Sequence, residues 1–332
     1  MMGLIGRGSQ IYAMHSCAWT TQAMIEIRDL RVDYGDFTAV HDLSLTIGEG
    51  EIYGFIGPNG AGKTSTFKVL GTMLEPTFGE VRVGGFNVAE QPREVHRILG
   101  YMPDFPPVYE DLKVGEFCEL FDAAYGFPVE GRGTRVDEVL GKTSLTEKKG
   151  KMCGELSRGM KQRLLLSKTL LQKPRVLILD EPASGLDPHS RIELREILKE
   201  LAADGCTVLI SSHILTEMEG FCTSIGILEA GRLKVSGTLE EITKKFQAGR
   251  RILVDVLEPD PRIPKVLGEF KGISEFSEKG NGEVSFLYTG EEATIVEILA
   301  ALVKKGVPVK GFQEKRLDVE DVFMQISGGQ VN

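Results

Sequence analysis

Two blocks of this chain carry residue types suited to handling a triphosphate. Gly57-Pro58-Asn59-Gly60-Ala61-Gly62-Lys63-Thr64, with Ser65 next in line, has the spacing G-x-x-x-x-G-K-[ST]. Glycines at those positions let backbone N–H groups curl around phosphates, and a following helix adds the positive end of its dipole. Lys63 is expected to reach the β- and γ-phosphates and Thr64 a magnesium ion. Val176-Leu177-Ile178-Leu179-Asp180-Glu181-Pro182 is an apolar run ending in two carboxylates. Such a run reads as a buried strand that delivers both acids to its end, Asp180 to magnesium and Glu181 to an attacking water as general base.

The elements that must position these groups follow from periodicity. Residues 25–47 alternate apolar and polar around Asp33-Tyr34-Gly35-Asp36, which predicts antiparallel strands. Residues 51–56 form a more buried strand, and 63–74 have helical spacing at Phe67, Leu70 and Leu74. Strand, glycine loop and helix therefore come in the order a phosphate loop requires. Residues 92–145 read as helical pieces broken by Gly and Pro, a helical insert. A helix over 157–171, capped by Ser157, comes next. Strands at 176–179, 207–211 and 225–228 alternate with helices near 188–203 and 215–221, which predicts a mainly parallel sheet covered on both faces.

After Gly237 a linking helix over 238–246 leads to a different pattern. Strands at 251–257, 273–277, 283–288 and 307–313 and helices at 263–270, 291–304 and 319–326 give the order β-α-β-β-α-β, with Asn281-Gly282 as a hairpin signal. This is the order of a small ferredoxin-like α+β domain. The expected division is an N-terminal extension over 1–23, a catalytic domain over 24–239 and an accessory domain over 240–332. Residues 1–22 have no secretory pattern and read as a disordered extension or an early start codon, with Met24 the better beginning of the fold.

Composition bounds the function further. A net charge of -9 over 332 residues argues against a surface built to neutralise nucleic-acid phosphates. Cys17, Cys118, Cys153, Cys206 and Cys222 have no CxxC pair or zinc spacing and read as reduced cytosolic thiols. No apolar run approaches the roughly eighteen residues that cross a bilayer. Work on a membrane would need another chain to span it.

The block Leu156-Ser157-Arg158-Gly159-Met160-Lys161-Gln162-Arg163 resembles the signature motif of ABC ATPases. With the two phosphate-handling blocks it makes the chain similar to the nucleotide-binding domains of that family over residues 25–239. The resemblance implies a P-loop fold with a mixed sheet core, a helical subdomain and an antiparallel β subdomain. It implies ATP and magnesium as cofactors, with Ser157 and Gly159 facing the γ-phosphate of a nucleotide held by a second nucleotide-binding domain, hence a homodimer. His213, after Thr207-Val208-Leu209-Ile210-Ser211-Ser212, matches the family's switch histidine, and Tyr34 the aromatic that stacks on adenine. Asp187, in Ser184-Gly185-Leu186-Asp187, matches the loop at the dimer interface. Taken alone, a histidine after an apolar run is more often structural and an aromatic in such a loop more often packing, while Asp187 is given an inter-subunit structural role with only an indirect part in catalysis.

Two departures stand out. Asp104 occupies the place of the family's usual Gln at a loop that senses magnesium and water, and adds a negative charge beside a triphosphate. Arg158 adds a side chain and a charge where the commoner signature has Gly. The single phosphate loop, the C-terminal extension and Val319-Glu320-Asp321-Val322-Phe323 look like the ATPase subunits of ABC-2 type exporters. That resemblance implies a separate transmembrane permease, met through the segment 104–114, and a place on the cytoplasmic face of the membrane. Two other readings remain: a soluble ABC ATPase acting on ribosomes or DNA, and a nucleotide-dependent regulator without turnover. The absence of a heptad run or a basic arm in the sequence weighs against the soluble one.

Overall fold

The computed structural model describes residues 23–104, 107–218, 220–246, 250–280 and 282–315. The chain begins with the paired strands β1 (Ala23–Tyr34) and β2 (Phe37–Gly48), then the fully buried β3 (Ile52–Ile56) and helix α1 (Lys63–Leu70). Helix α1 stops at Gly71 rather than running on to Leu74, because the chain turns there to start β4 (Phe78–Val83) and β5 (Phe86–Asn87). Neither of those strands was expected from the sequence. They complete an antiparallel sheet of order β2-β1-β4-β5.

The segment 92–145 is not wholly helical. Between α2 (Pro92–Ile98) and the pair α3 (Val114–Ala124) and α4 (Arg132–Lys142) lies a strand, β6 (Leu99–Met102). Only four residues long, it carries too little periodicity to be recognised, and its pairing partner lies more than seventy residues on. The next elements are α5 (Arg158–Leu170), β7 (Val176–Leu179), α6 (Pro188–Ala203), β8 (Thr207–Ser212), β9 (Ser224–Glu229) and β10 (Arg232–Gly237). The helix expected over 215–221 is a single 3₁₀ turn, Leu215–Glu217.

Strands β6, β7, β8, β3 and β9 run parallel in the order β10-β9-β3-β8-β7-β6, with β10 antiparallel at one edge. Their side chains alternate between two cores. Tyr53, Phe55, Val176, Ile178 and Leu209 join the core beneath the antiparallel sheet and α1. Ile52, Ile56, Leu177, Leu179, Val208 and Ile210 join the core built with α3, α4, α5 and α6. A near-continuous apolar strand is what burial on both faces requires. All four strand ends that matter for chemistry, after β3, β6, β7 and β8, emerge on the same edge.

Helix α7 (Leu239–Phe246) is introduced by a capping box: Thr238 Oγ1 accepts from Glu241 N over 3.2 Å while Thr238 N donates to Glu241 Oε2 over 2.9 Å. Beyond it come β11 (Arg250–Val256), α8 (Arg262–Leu267), β12 (Ile273–Lys279), β13 (Glu283–Tyr288), α9 (Glu292–Lys304) and β14 (Val309–Lys315). Their antiparallel order β12-β13-β11-β14 is that of a ferredoxin-like sheet, with α8 and α9 sharing its core. The helix expected over 319–326, the extension before residue 23 and Asn281 of the hairpin lie outside the described residues.

Helix α1 holds its place through Phe67, fully buried and stacked on Phe55 of β3 with ring centroids 5.9 Å apart. Replacing Phe67 with Ala removes that contact and leaves a cavity under the helix that starts at Lys63. The expected loss is about 3–5 kcal/mol, read as a lower urea midpoint for the unit containing the parallel sheet.

Candidate functional site

The loop 57–65 turns as it does because neighbouring backbone leaves no room for side chains. A Cβ on Gly57 would lie 2.2 Å from the carbonyl oxygen of Leu228 in β9. At Gly62, which caps α1 with φ 101°, a Cβ would lie 2.6 Å from Ala39 O of β2. Glycine at these positions lets the loop seat against β9 and the hairpin, and α1 then starts with no acidic residue in its first turn. Its unshared N–H groups and dipole leave that end suited to an anion.

Lys63 lies folded back into this loop. Its ammonium donates to Gly57 O over 2.5 Å and Pro58 O over 3.3 Å, and pairs with Glu181 Oε1 at 3.3 Å. Lys63 is 5% exposed, so the charge is held where an arriving phosphate could exchange for the carbonyls. Asp180, at the end of β7 and 2% exposed, accepts from Thr64 Oγ1 over 2.9 Å with one oxygen and from Ser211 Oγ over 2.6 Å with the other. Ser211 Oγ in turn accepts from Glu181 N over 2.9 Å.

Glu181 has φ 47°, a left-handed backbone that costs a non-glycine residue of order 1 kcal/mol or more. The Ser211 hydroxyl on its amide and two side chains on its carboxylate hold it there. One is the Lys63 ammonium. The other partner is His213, whose Nδ1 donates to Glu181 Oε2 over 2.8 Å. Because an ionised carboxylate only accepts, Nδ1 carries the proton and Nε2 is left for another partner.

Asp104 follows β6 and lines the same cleft. Its Oδ1 is buried and accepts no hydrogen bond among the described residues. Burial, followed by the negative fields of Asp180 and Glu181, pushes its carboxyl above the usual range, with Arg158 and His213 offsetting part of the rise. Thr64, Asp180 and Asp104 thus bring hydroxyl and carboxylate oxygens together, a donor set that suits a hard cation arriving with a triphosphate. Among the described residues no cluster of three or more metal-ligating side chains could hold an ion without it.

The opposite wall of the cleft is the hairpin, with Tyr34, Phe37 and Ala39. The sequence reading singled out Tyr34 but missed Phe37. It also missed Ser211, though two serines closing an otherwise apolar strand just before His213 were a visible signal.

Ser157 and Gly159 lie apart from this cluster, at the start of α5. Ser157 Oγ caps the helix by accepting from Met160 N over 3.3 Å. A Cβ on Gly159 would lie 2.3 Å from Ser190 Oγ, so glycine there also permits α5 to meet α6. Asp187 caps α6, accepting from Ser190 N over 3.0 Å and Ser190 Oγ over 2.7 Å, and those bonds hold its carboxyl below the usual range. The Arg158 guanidinium packs on Gly185, where a Cβ would lie 2.6 Å from its central carbon.

A phosphate loop, a paired Asp-Glu strand end and a histidine on the next strand, all on one edge of a parallel sheet, define a P-loop ATPase. The chain matches the ABC transporter family over residues 40–184 and the C-terminal domain of the DrrA1-3-like ATP-binding proteins over 237–327. It is 33% identical to the Nod factor export ATP-binding protein I of Burkholderia orbicola, over 93% of this chain and 98% of that protein. It is 32% identical to the daunorubicin resistance ATP-binding protein DrrA2 of Streptomyces coeruleorubidus, over 89% of this chain and 92% of that one. The dimeric structure of a bacterial ABC transporter cassette superposes with a TM-score of 0.58 at 26% identity, over 65% of this chain and 99% of that cassette. The chain belongs to the ATP-binding subunits of ABC transporters, which hydrolyse ATP to power transport.

Since Asp104 binds its proton more tightly folded than unfolded, its contribution to stability is fullest below the unfolded value, near 3.8, and is lost as pH rises through the folded one. Asp104→Asn removes the half-buried charge. The variant should melt about 2 °C above wild type at pH 7.5, with the difference shrinking toward pH 4.5, in nucleotide-free thermal scans.

Proposed function

We propose that this chain is the ATPase of an export system, in which two copies close over two ATP molecules and drive a separate permease. The observation that carries the reading is the continuous chain Thr64–Asp180–Ser211–Glu181, with Lys63 and His213 on the Glu181 carboxylate. The backbone of 57–62, Lys63 and Ser65 cradle the phosphates. Thr64, Asp180 and Asp104 would hold magnesium, which would supply charge neutralisation on the triphosphate. Glu181 takes the proton of the attacking water, and His213 holds Glu181 and senses the γ-phosphate through Nε2. Tyr34 packs against the adenine.

The position of Ser157 and Gly159, away from their own chain's phosphate loop, supports a second copy. A partner seated as in a dimeric cassette would bring them to the other chain's γ-phosphate, and Asp187 to the boundary between copies. Closure then depends on ATP because the closed state makes contacts with the γ-phosphate that the open one lacks. The names of the relatives, one an export and one a drug-resistance protein, support export as the direction. Among the described residues no helix is long and apolar enough to cross a membrane, so the reading places the membrane span in the permease. Tyr109, 52% exposed and stacked on Phe121 of α3, supports the segment 104–114, through its described residues 107–114, as the surface that meets it. The catalytic unit is taken as 24–239 and the accessory unit as 240–332.

Glu181→Gln is the direct test. Hydrolysis should fall by at least about 100-fold while ATP affinity is kept, since only the base is lost. The variant should also run as a dimer by light scattering when ATP and magnesium are present and as a monomer without them. Turnover within a few-fold of wild type would remove Glu181 from the chemistry, and failure to co-purify with any membrane protein would sink the permease reading.

A further inference from the structure

One buried carboxylate near the site has no part in the chemistry described above. Glu217, in the 3₁₀ turn that follows β8, is 6% exposed, and its Oε2 accepts from Ser212 Oγ over 2.7 Å. Its Oε1 faces the Arg191 guanidinium of α6, with Nη1 at 3.4 Å, and accepts no hydrogen bond among the described residues. Taking a carboxylate out of water is costly even when a cation stands beside it, and an apolar side chain would pack at such a place without that cost. Glu217 does not line the cleft beside the phosphate loop.

The contacts of Ser212 show what the carboxylate does. Ser212 is the last residue of β8, and its backbone oxygen accepts from Gly57 N over 3.3 Å, where the phosphate loop begins. Its side-chain oxygen accepts from Ile214 N over 3.0 Å, which closes a turn across His213. An ionised carboxylate only accepts, so the Ser212 hydroxyl gives its proton to Glu217 and turns a lone pair toward Ile214 N. Without an acceptor at 217 that hydroxyl is free to rotate, and the bond that closes the turn weakens. Arg191 extends the constraint, since its backbone N–H donates to Asp187 O over 3.1 Å in the first turn of α6.

We propose that Glu217 is a positioning residue for ATP hydrolysis: through Ser212 it fixes the 212–214 turn so that His213 Nδ1 meets the Glu181 carboxylate. The inference rests on the reading of Glu181 and His213 as the hydrolytic pair.

Steady-state ATP hydrolysis by the full chain and long-range proton–nitrogen spectra of its isotope-labelled histidines test the proposal. Glu217→Ala and Ser212→Ala should each lower kcat by about tenfold and leave KM within about twofold of wild type. Glu217→Gln keeps an acceptor for Ser212 Oγ and should hold kcat within about threefold of wild type. In a His213→Gln background Glu217→Ala should cost nothing further, because its effect passes through His213. In the spectra the His213 signal, identified by its loss in His213→Gln, should show Nδ1 protonated in wild type and a mixture of the two neutral forms in Glu217→Ala. If Glu217→Ala does not fold, Ser212→Ala is read in its place. Unchanged kcat in Ser212→Ala overturns the proposal, and so does an equal loss from Glu217→Ala with and without His213, the sign of a merely structural role. An unaltered His213 signal in Glu217→Ala overturns it too. Wild-type turnover in Glu181→Gln removes the hydrolytic pair and the proposal with it, while the spectra still show whether Glu217 orients His213.

Discussion

The site depends on one buried carboxylate. Asp180 spends one oxygen on Thr64, at the start of α1, and the other on Ser211, at the end of β8, while its own backbone N–H donates to Met102 O of β6 over 2.9 Å. Three neighbouring strands and the phosphate-loop helix thus meet on one residue. A carboxylate this buried is tolerable only if its lone pairs are satisfied. Two hydroxyl donors meet that demand without neutralising it. The charge therefore remains available to a cation, and Thr64 is already set beside it.

From that anchor the strain at Glu181 becomes intelligible. The residue after Asp180 must turn out of the strand, and its left-handed backbone aims the carboxylate at Lys63 and His213 rather than at solvent. Ser211 serves both halves of the turn, donating to Asp180 and accepting from Glu181 N. Lys63 and Glu181 hold one another through charge, so the cleft beside the phosphate loop carries a set of internal pairs, Lys63 with Glu181, Thr64 with Asp180 and His213 with Glu181.

Much of this was legible in the sequence because it rests on local rules. The glycine spacing at 57–62 and the apolar run into Asp180-Glu181 signal their geometry within a few residues, and Asn281-Gly282 and the alternation around it pointed to the C-terminal hairpin. What escaped depends on distant contacts. Strand β6 exists because β7 offers it a pairing edge, and nothing in Leu99-Gly100-Tyr101-Met102 alone distinguishes it from the end of α2. The turn at Leu215–Glu217 falls short of a full helix although its composition would allow one. Ser212 there ends the strand with a hydrogen bond to Glu217 Oε2 of 2.7 Å, which ties the short turn to the strand end. Phe37 and Ser211 look ordinary until the fold sets them beside the cleft and the acidic pair.

The packing between α5 and α6 bears on how two copies could act together. Gly159 admits Ser190, Ser190 is held by Asp187, and Arg158 lies on Gly185, so the start of α5 and the loop 184–187 interlock at two points. A displacement of one must therefore carry the other. That loop begins three residues after Glu181, whose position is fixed by Ser211, Lys63 and His213. Any movement of Ser157 and Gly159 at the start of α5 therefore pulls on the chain immediately beyond Glu181. The two departures in the sequence then have a shared physical setting. Arg158 lends positive potential to the half-buried Asp104 carboxylate while it packs on the loop behind Glu181, so the charge at the start of α5 reaches the phosphate-loop site of its own chain.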